Sequence, residues 1–202
     1  LIKLIEGVKV KKENAPDFAV FLHKSDGLSA KDKQDVYKDI RKQVFDELGP
    51  LNAMQVEFYL TSLYDHSILH AISKVVQRHL NSNEDLTRLL DNFCQEHSIQ
   101  KAYLFDILSK VYIASDSSSP DPDAYDLCND SIDVVDDIAF IYNPHKIEPT
   151  IADINLDSNR KITFVSISNG LALLCVCSAN QKFGDNCKIY KELETKITQL
   201  LF

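Results

Sequence analysis

The chain has 202 residues, of which 45% are hydrophobic, and this composition opposes disorder over most of its length. Its formal net charge of -8 opposes nucleic acid and anionic membranes as direct partners, because both select clustered lysine and arginine. Its five glycines are widely separated, so neither of the two common glycine-rich phosphate-binding loops can be written from them.

The first half of the sequence predicts strands that alternate with helices. Residues 1–12 carry apolar side chains at helical spacing, and we expect this amphipathic helix to begin before Leu1. The apolar run 17–22 predicts a strand that is buried on both faces. Ser29 then predicts the N-cap of a helix that ends at residues 49–50, a Gly-Pro pair.

A second strand is predicted over residues 55–60, followed by a helix that Asp65 caps. Alternation of this kind is typical of an α/β sheet, in which ligands bind beyond the carboxyl ends of the strands. The polar segments 23–26 and 61–63 follow the two strands, so we expect both at that edge. The polar stretch around Asn81 predicts a domain boundary after that residue.

The second half predicts the element order α-β-β-α-β-β-β-α, an antiparallel sheet with helices packed on it. The Asn169-Gly170 pair predicts a hairpin, because glycine tolerates the positive φ that such a turn demands. The predicted elements are a helix near residues 86–94, strands over 101–105 and 110–115, a helix with Pro122 at its first position, strands over 151–156, 161–168 and 171–178, and a final helix over 187–201.

The segment His23-Lys24-Ser25-Asp26 carries the clearest chemical signal. The carboxylate of Asp26 can accept hydrogen bonds from both N1–H and the exocyclic amine of guanine, whereas adenine offers no such pair of donors. The aliphatic stem of Lys24 can lie over the base. A backbone N–H of Ser62 or Leu63 can point at the guanine carbonyl. A solvated polar loop is the alternative interpretation of the same residues.

Longer stretches of the chain carry a family resemblance. Residues 23–29 (HKSDGLS), 58–68 (FYLTSLYDHSI), 101–118 (KAYLFDILSKVYIASDSS) and 125–137 (YDLCNDSIDVVDD) are similar to the Rag GTPases of the C/D type. These are Ras-like G proteins with an appended C-terminal roadblock domain. Rag proteins have histidine at the first position of the Ras-like N-K-x-D motif, as His23 is here.

The resemblance implies that residues 1–81 are the C-terminal half of a Ras-like G domain and that residues 82–202 are a roadblock-type dimerisation domain. The fold class is then α/β followed by α+β. GTP or GDP is the implied ligand, and the implied guanine-contacting residues are His23, Lys24, Asp26, Ser62 and Leu63. The phosphate loop, the switch regions and the Mg²⁺ ligands of the family have no counterpart in this sequence. We therefore assign no catalytic or metal-binding residue and expect no hydrolysis of GTP by these residues alone.

The resemblance also implies partners and a location. C/D-type Rag proteins pair with an A/B-type Rag through their roadblock domains, dock on a lysosomal or vacuolar scaffold, and signal amino-acid sufficiency to TOR complex 1. A cytoplasmic protein recruited to the cytosolic face of that organelle is expected, without insertion into the membrane and without nucleic acid. The alternative is a roadblock-type dimerisation module with no nucleotide role.

Other residues give weaker signals. The five cysteines lack C-x-x-C spacing and predict buried, reduced thiols. His66 and His70 have helical i, i+4 spacing but no glutamate partner, so core-edge histidines are favoured over a metal site. Asp121, Asp123 and Asp126 lack the glycine and glutamate of a calcium loop. Ser119, followed by proline in a polar loop, is a candidate phosphorylation site, but a loop that positions a helix start is favoured.

Overall fold

A computed structural model of the chain describes residues 17–48, 56–142, 150–157, 159–181 and 186–201. The predicted helix over residues 1–12 and the Gly-Pro pair at 49–50 lie outside the described residues. The chain divides into two compact units, Leu1–Ala71 and Ile72–Phe202. The expected domain boundary between residues 81 and 82 stays a prediction.

In the first unit, strands β1 (Phe18–Leu22) and β2 (Val56–Leu60) pair in parallel, and helix α1 (Ala30–Leu48) connects them in sequence. Parallel strands need such a crossover, so the predicted strand–helix–strand alternation is confirmed. Val44 of α1 and Val56 of β2 are buried together, with Phe18, Val20 and Phe58 packed against them. The helix begins as predicted, because the Ser29 hydroxyl accepts a hydrogen bond from the amide of Asp32 (3.2 Å).

Helix α2 (Ser67–His79) follows β2. Asp65 caps it as predicted, since its carboxylate accepts a hydrogen bond from the Ser67 amide at 2.9 Å. The division between the two compact units falls inside this helix, after Ala71. Its remaining residues, from Ile72 to His79, are therefore part of the second unit.

From Asn83 onward, the second unit has the predicted order α-β-β-α-β-β-β-α. Its five strands form one antiparallel sheet in the order β4-β3-β7-β6-β5. The elements are α3 (Asn83–His97), β3 (Lys101–Asp106), β4 (Tyr112–Ser115), α4 (Pro122–Tyr142), β5 (Ile151–Asn155), β6 (Arg160–Ile167), β7 (Leu171–Ser178) and α5 (Asn186–Leu201). Strand β4 begins two residues later than predicted, because Lys110 has a left-handed backbone (φ 57°) and closes the turn from β3.

Helices cover both faces of this sheet. Leu86 and Leu90 of α3 and Ile197 of α5 lie in one buried cluster with strand residues such as Leu104 and Leu173. On the opposite face, Tyr125 of α4 joins a cluster of aromatic rings from β3 and β4, with centroid separations of 5.4–6.0 Å to Tyr103, Phe105 and Tyr112. The unit is a three-layer α+β fold.

The predicted hairpin joins β6 to β7. Asn169 has φ 63° and Gly170 has φ 76°, so both residues adopt the left-handed backbone that favours this pair. The loop contains three residues, Ser168–Gly170, because Ile167 still pairs with Leu171 across the strands.

Candidate functional site

The two polar segments that follow β1 and β2 lie side by side in the first unit. The Thr61 amide donates to the Leu22 carbonyl at 3.0 Å, and the Ser25 amide donates to the Thr61 carbonyl at 3.1 Å. Nδ1 of His23 lies 3.1 Å from the Thr61 hydroxyl. These contacts follow from the parallel pairing of the strands, which places both carboxyl ends at one edge.

The Asp26 carboxylate is held in place by the second segment. The Ser62 hydroxyl donates to Asp26 Oδ1 at 2.9 Å and itself accepts a hydrogen bond from the Tyr64 amide at 3.0 Å. The Ser62 hydrogen bond lowers the pKa of Asp26, and backbone amides and the charge of Lys33 add to that effect. Asp26 is therefore an ionised acceptor near neutral pH, which is the form that a pair of N–H donors requires.

Lys24 lies between the strand and the short 3₁₀ turn Ser25–Gly27. It has φ 62° and ψ 37°, a left-handed backbone that is uncommon for a residue other than glycine. Local strain of this kind persists only where the surroundings enforce it, and it concentrates at ligand-binding segments. The side chain is exposed, so its aliphatic stem is accessible to a flat ligand.

The backbone amides of Ser62 and Leu63 face groups of the protein itself, whereas we expected one of them to face the guanine carbonyl. The Ser62 amide donates to the hydroxyl of Ser67, the first residue of α2, at 2.9 Å. The Leu63 amide contributes to the low pKa of Asp26, which indicates that it faces that carboxylate. The side chain of Leu63 is 65% exposed. In this structure Ser62 orients Asp26 through its hydroxyl, and Ser67 fixes Ser62, a role that the sequence alone did not indicate.

The residues present fit the base of a guanine nucleotide, because an exposed, oriented carboxylate offers two acceptor oxygens to adjacent N–H groups. Asp26, the accessible Lys24 stem and the Ser62 hydroxyl form this group. Among the described residues, no group of three or more His, Cys, Asp or Glu side chains is arranged to hold a metal ion.

A second surface lies on α4 in the other unit. Its outward face carries four large apolar side chains at positions i, i+4, i+7 and i+8, and 51% to 84% of each is exposed. We call this set the α4 stripe; its members are Val134, Ile138, Ile141 and Tyr142. Isolated exposed apolar residues are common, but a row along one helix is typical of a surface that another protein covers.

The two edges of the five-stranded sheet differ. At the β4 edge, the Ser73 hydroxyl accepts a hydrogen bond from the Tyr112 amide (3.0 Å), and the Gln77 side chain donates to the Tyr112 carbonyl (3.3 Å). Polar side chains of α2 thus occupy the backbone groups of Tyr112. Within the described part of the chain, no strand lies outside β5.

The structure describes four of the five cysteine side chains. Cys94 is partly buried, and Cys128, Cys175 and Cys177 are buried; all four are free thiols. Burial raises the pKa of Cys94 to about 12, so the expectation of unreactive thiols is supported for these four. In the segments that the structure describes, no helix is both long enough and apolar enough to cross a membrane.

Comparison with known proteins gives one family match and several similar sequences. The Gtr1/RagA G protein conserved region matches residues 2–132. The GTP-binding protein gtr2 of Schizosaccharomyces pombe is 39% identical over 173 residues, which are 80% of this chain and 55% of that protein. Ras-related GTP-binding protein C of Homo sapiens is 40% identical over 169 residues, which are 79% of this chain and 42% of that protein. The chain spans about half the length of the curated relatives that it matches.

Solved structures that resemble part of the chain are more distant. Myxococcus xanthus MglB is 9% identical, with a TM-score of 0.47 over 59% of this chain and 90% of that chain. A Roadblock/LC7 domain from Streptomyces avermitilis is 14% identical, with a TM-score of 0.39 over 57% of this chain and 90% of that chain.

Proposed function

The chain belongs to the Gtr1/RagA family of G proteins and is of the C/D type, and we propose that it supplies the guanine-recognition part of a nucleotide switch. In this proposal the intact protein pairs with an A/B-type Rag GTPase and signals amino-acid sufficiency to TOR complex 1. GTP and GDP are its ligands. It acts in the cytoplasm and at the cytosolic face of the lysosome or vacuole.

The observation that carries the nucleotide role is the 2.9 Å hydrogen bond from Ser62 to Asp26. It links two segments that are 36 residues apart in the sequence and fixes one carboxylate oxygen, while the low pKa of Asp26 keeps the group ionised. An ionised carboxylate that is oriented before binding accepts N1–H and the exocyclic amine of guanine without further rearrangement. His23 and Lys24 flank it, and we propose that they contact the same base.

The substitution Asp26→Asn replaces one carboxylate oxygen by an amide nitrogen and tests the role of Asp26 in recognising guanine. Xanthine carries a carbonyl where guanine carries the exocyclic amine, so a carboxylate repels xanthine and accepts from guanine. In Asp26→Asn, the side-chain amide can donate to the xanthine carbonyl while its own oxygen accepts from N1–H. We expect fluorescent GDP to bind the intact protein roughly 10- to 100-fold more weakly after this substitution, and fluorescent XDP to bind more tightly.

Asp35→Asn is the matched control, because Asp35 is an exposed aspartate of α1 and the substitution makes the same change of charge. It should leave both affinities unchanged. If Asp26→Asn also left the preference for guanine over xanthine unchanged, or if the unsubstituted intact protein bound no guanine nucleotide, the nucleotide role would be abandoned.

The second candidate function is a dimerisation module with no nucleotide role. The exposed α4 stripe and the β5 edge favour it, because both surfaces are suited to pairing with another chain. The two candidates share the A/B-type partner and differ in the nucleotide. The same binding measurement therefore separates them, since only the first candidate requires Asp26 to discriminate between bases.

A further inference from the structure

Three consecutive serines follow β4, and the structure distinguishes them. The Ser117 amide donates to the Asp91 carboxylate at 2.7 Å. The Ser118 hydroxyl accepts a hydrogen bond from Nζ of the buried Lys101 at 3.1 Å, and the Ser118 carbonyl accepts another at 3.0 Å. Ser119 is exposed, and its hydroxyl makes no hydrogen bond to any described residue. The hydroxyl of Ser118 is engaged by Lys101, whereas Ser117 and Ser119 are both exposed, and of these two only Ser119 is followed by proline.

The backbone around Ser119 lies outside helices, strands and turns and is held at both ends. Residues 119–121 have neither helix nor turn. Pro120 and Pro122 disfavour a helical conformation for the residues that precede them, which are Ser119 and Asp121. Lys101 fixes the N-terminal end at Ser118, and Asp121 fixes the other end by accepting the Ala124 amide at 3.0 Å. The fold thus presents Ser119 in a non-helical segment that the two prolines bias towards an extended conformation.

We propose that Ser119 is a phosphorylation site for a proline-directed serine/threonine kinase. Such kinases bind the substrate as an extended segment and select proline directly after the serine. The third residue after Ser119 is Pro122 and the fourth is Asp123, so the kinase must be one that needs no basic residue there. The Ser119 oxygen forms a bond to the γ-phosphorus of ATP, the bond to ADP breaks, and the hydroxyl proton passes to the catalytic aspartate of the kinase.

The modification changes the surface and leaves the fold intact. The Ser119 hydroxyl has no partner among the described residues, so the phosphate breaks no hydrogen bond of the folded chain. It adds about two negative charges just before α4, in a loop that already contains Asp116 and Asp121. Because the change is confined to an exposed position, we expect the melting temperature to shift by less than about 2 °C. This proposal does not depend on the guanine site.

The test uses the folded chain, ATP and a proline-directed kinase of the mitogen-activated class, with the modified residue located by fragmentation mass spectrometry. We expect one phosphate, on Ser119. Ser119→Ala should abolish it, and Pro120→Ala should reduce the initial rate at least about tenfold. Ser118→Ala is the matched control and should still be modified.

A synthetic peptide of residues 112–126 shows whether the kinase reads the local sequence alone or also benefits from the folded loop. The proposal predicts modification of the folded chain at a rate equal to or greater than that of the peptide, because the fold already holds both ends of the non-helical segment. Modification of the peptide alone, phosphate on Ser117 or Ser118 instead, or no phosphate on either substrate would each overturn it.

Discussion

The Asp116 carboxylate organises the start of the second unit's sheet, and its removal should be more costly than removal of the lysine beside it. Asp116 Oδ1 accepts the Ala102 amide at 2.8 Å, Oδ2 accepts the Ser118 amide at 2.9 Å, and Lys101 Nζ lies 3.3 Å from Oδ1. Lys101 and Asp116 are 5% and 6% exposed. Asp116 thus satisfies two backbone donors in addition to forming the ion pair.

The magnitude follows from what each substitution leaves behind. Asp116→Ala orphans the buried Ala102 amide, which costs about 1–3 kcal/mol, leaves the exposed Ser118 amide to water, and removes the carboxylate from a buried cation; we expect a loss of about 4 kcal/mol. Lys101→Met removes the cation and its hydrogen bonds to the carbonyls of Asp116 and Ser118 but leaves both amides bonded to Asp116, so we expect about 3 kcal/mol. At the urea dependence usual for small proteins, the first loss lowers the unfolding midpoint by about 2 M.

Near-UV circular dichroism during urea unfolding is the suitable assay. The chain has no tryptophan, and three of its tyrosines lie in the aromatic cluster of β3, β4 and α4. Asp137→Ala, a change of an exposed aspartate on α4, is the control and should move the midpoint little. If Lys101→Met proved as destabilising as Asp116→Ala, the two backbone amides that Asp116 binds would add nothing to stability, and the carboxylate would not be the organising group.

Acid provides an independent check of the same network. Burial by itself raises the pKa of Asp116, but hydrogen bonds from Ala102 and Ser118 and the charge of Lys101 outweigh it, so the net pKa is lowered. A depressed folded-state pKa stabilises the fold above the unfolded value of about 3.9, and that contribution is lost as the pH falls through the folded pKa. The difference in stability between the unsubstituted chain and Asp116→Ala should therefore narrow below about pH 4.

The remaining predictions concern the partner surface and the thiols. Ile138→Asp places a charge in the α4 stripe and should weaken co-purification with an A/B-type Rag at least about tenfold, whereas Asp137→Asn beside it should not; equal pairing of both variants would contradict a role for the stripe. At pH 8, Cys94, Cys128, Cys175 and Cys177 should resist alkylation for as long as the chain stays folded, because burial raises the pKa of each, and react once urea is added. Rapid labelling of any of the four in the native chain, mapped by mass spectrometry, would show that their burial does not protect them.

Much of the fold follows from local patterns. The apolar run before His23, the cap residues Ser29 and Asp65 and the Asn169-Gly170 pair each act over a few residues, and the structure has the corresponding elements. Patterns of this type are visible in sequence because propensity and turn chemistry are local. They also indicated that Asp26 and Ser62 lie at one sheet edge, since parallel strands share that edge.

The details of the site depend on contacts that no local pattern contains. Nothing near Ser62 in the sequence shows that its amide is taken by Ser67 and that its hydroxyl turns to Asp26. Val36, Ile40 and Val44 recur at helical spacing along α1, a pattern that predicts burial of all three, but Val36 is 37% exposed. Which member of such a stripe is buried depends on the strands beneath the helix, here chiefly at Val44.

The asymmetry of the sheet edges limits how the second unit can take a partner. An exposed strand offers a row of backbone donors and acceptors, and pairing along it is the most direct way for two sheets to join. At the β4 edge, the amide and carbonyl of Tyr112 are already occupied by Ser73 and Gln77, so a strand added there would have to displace two hydrogen bonds. No described strand blocks β5, and its Ile151 is 40% exposed. Strand addition at the β4 edge would therefore cost two hydrogen bonds of helix α2 that addition at β5 would not.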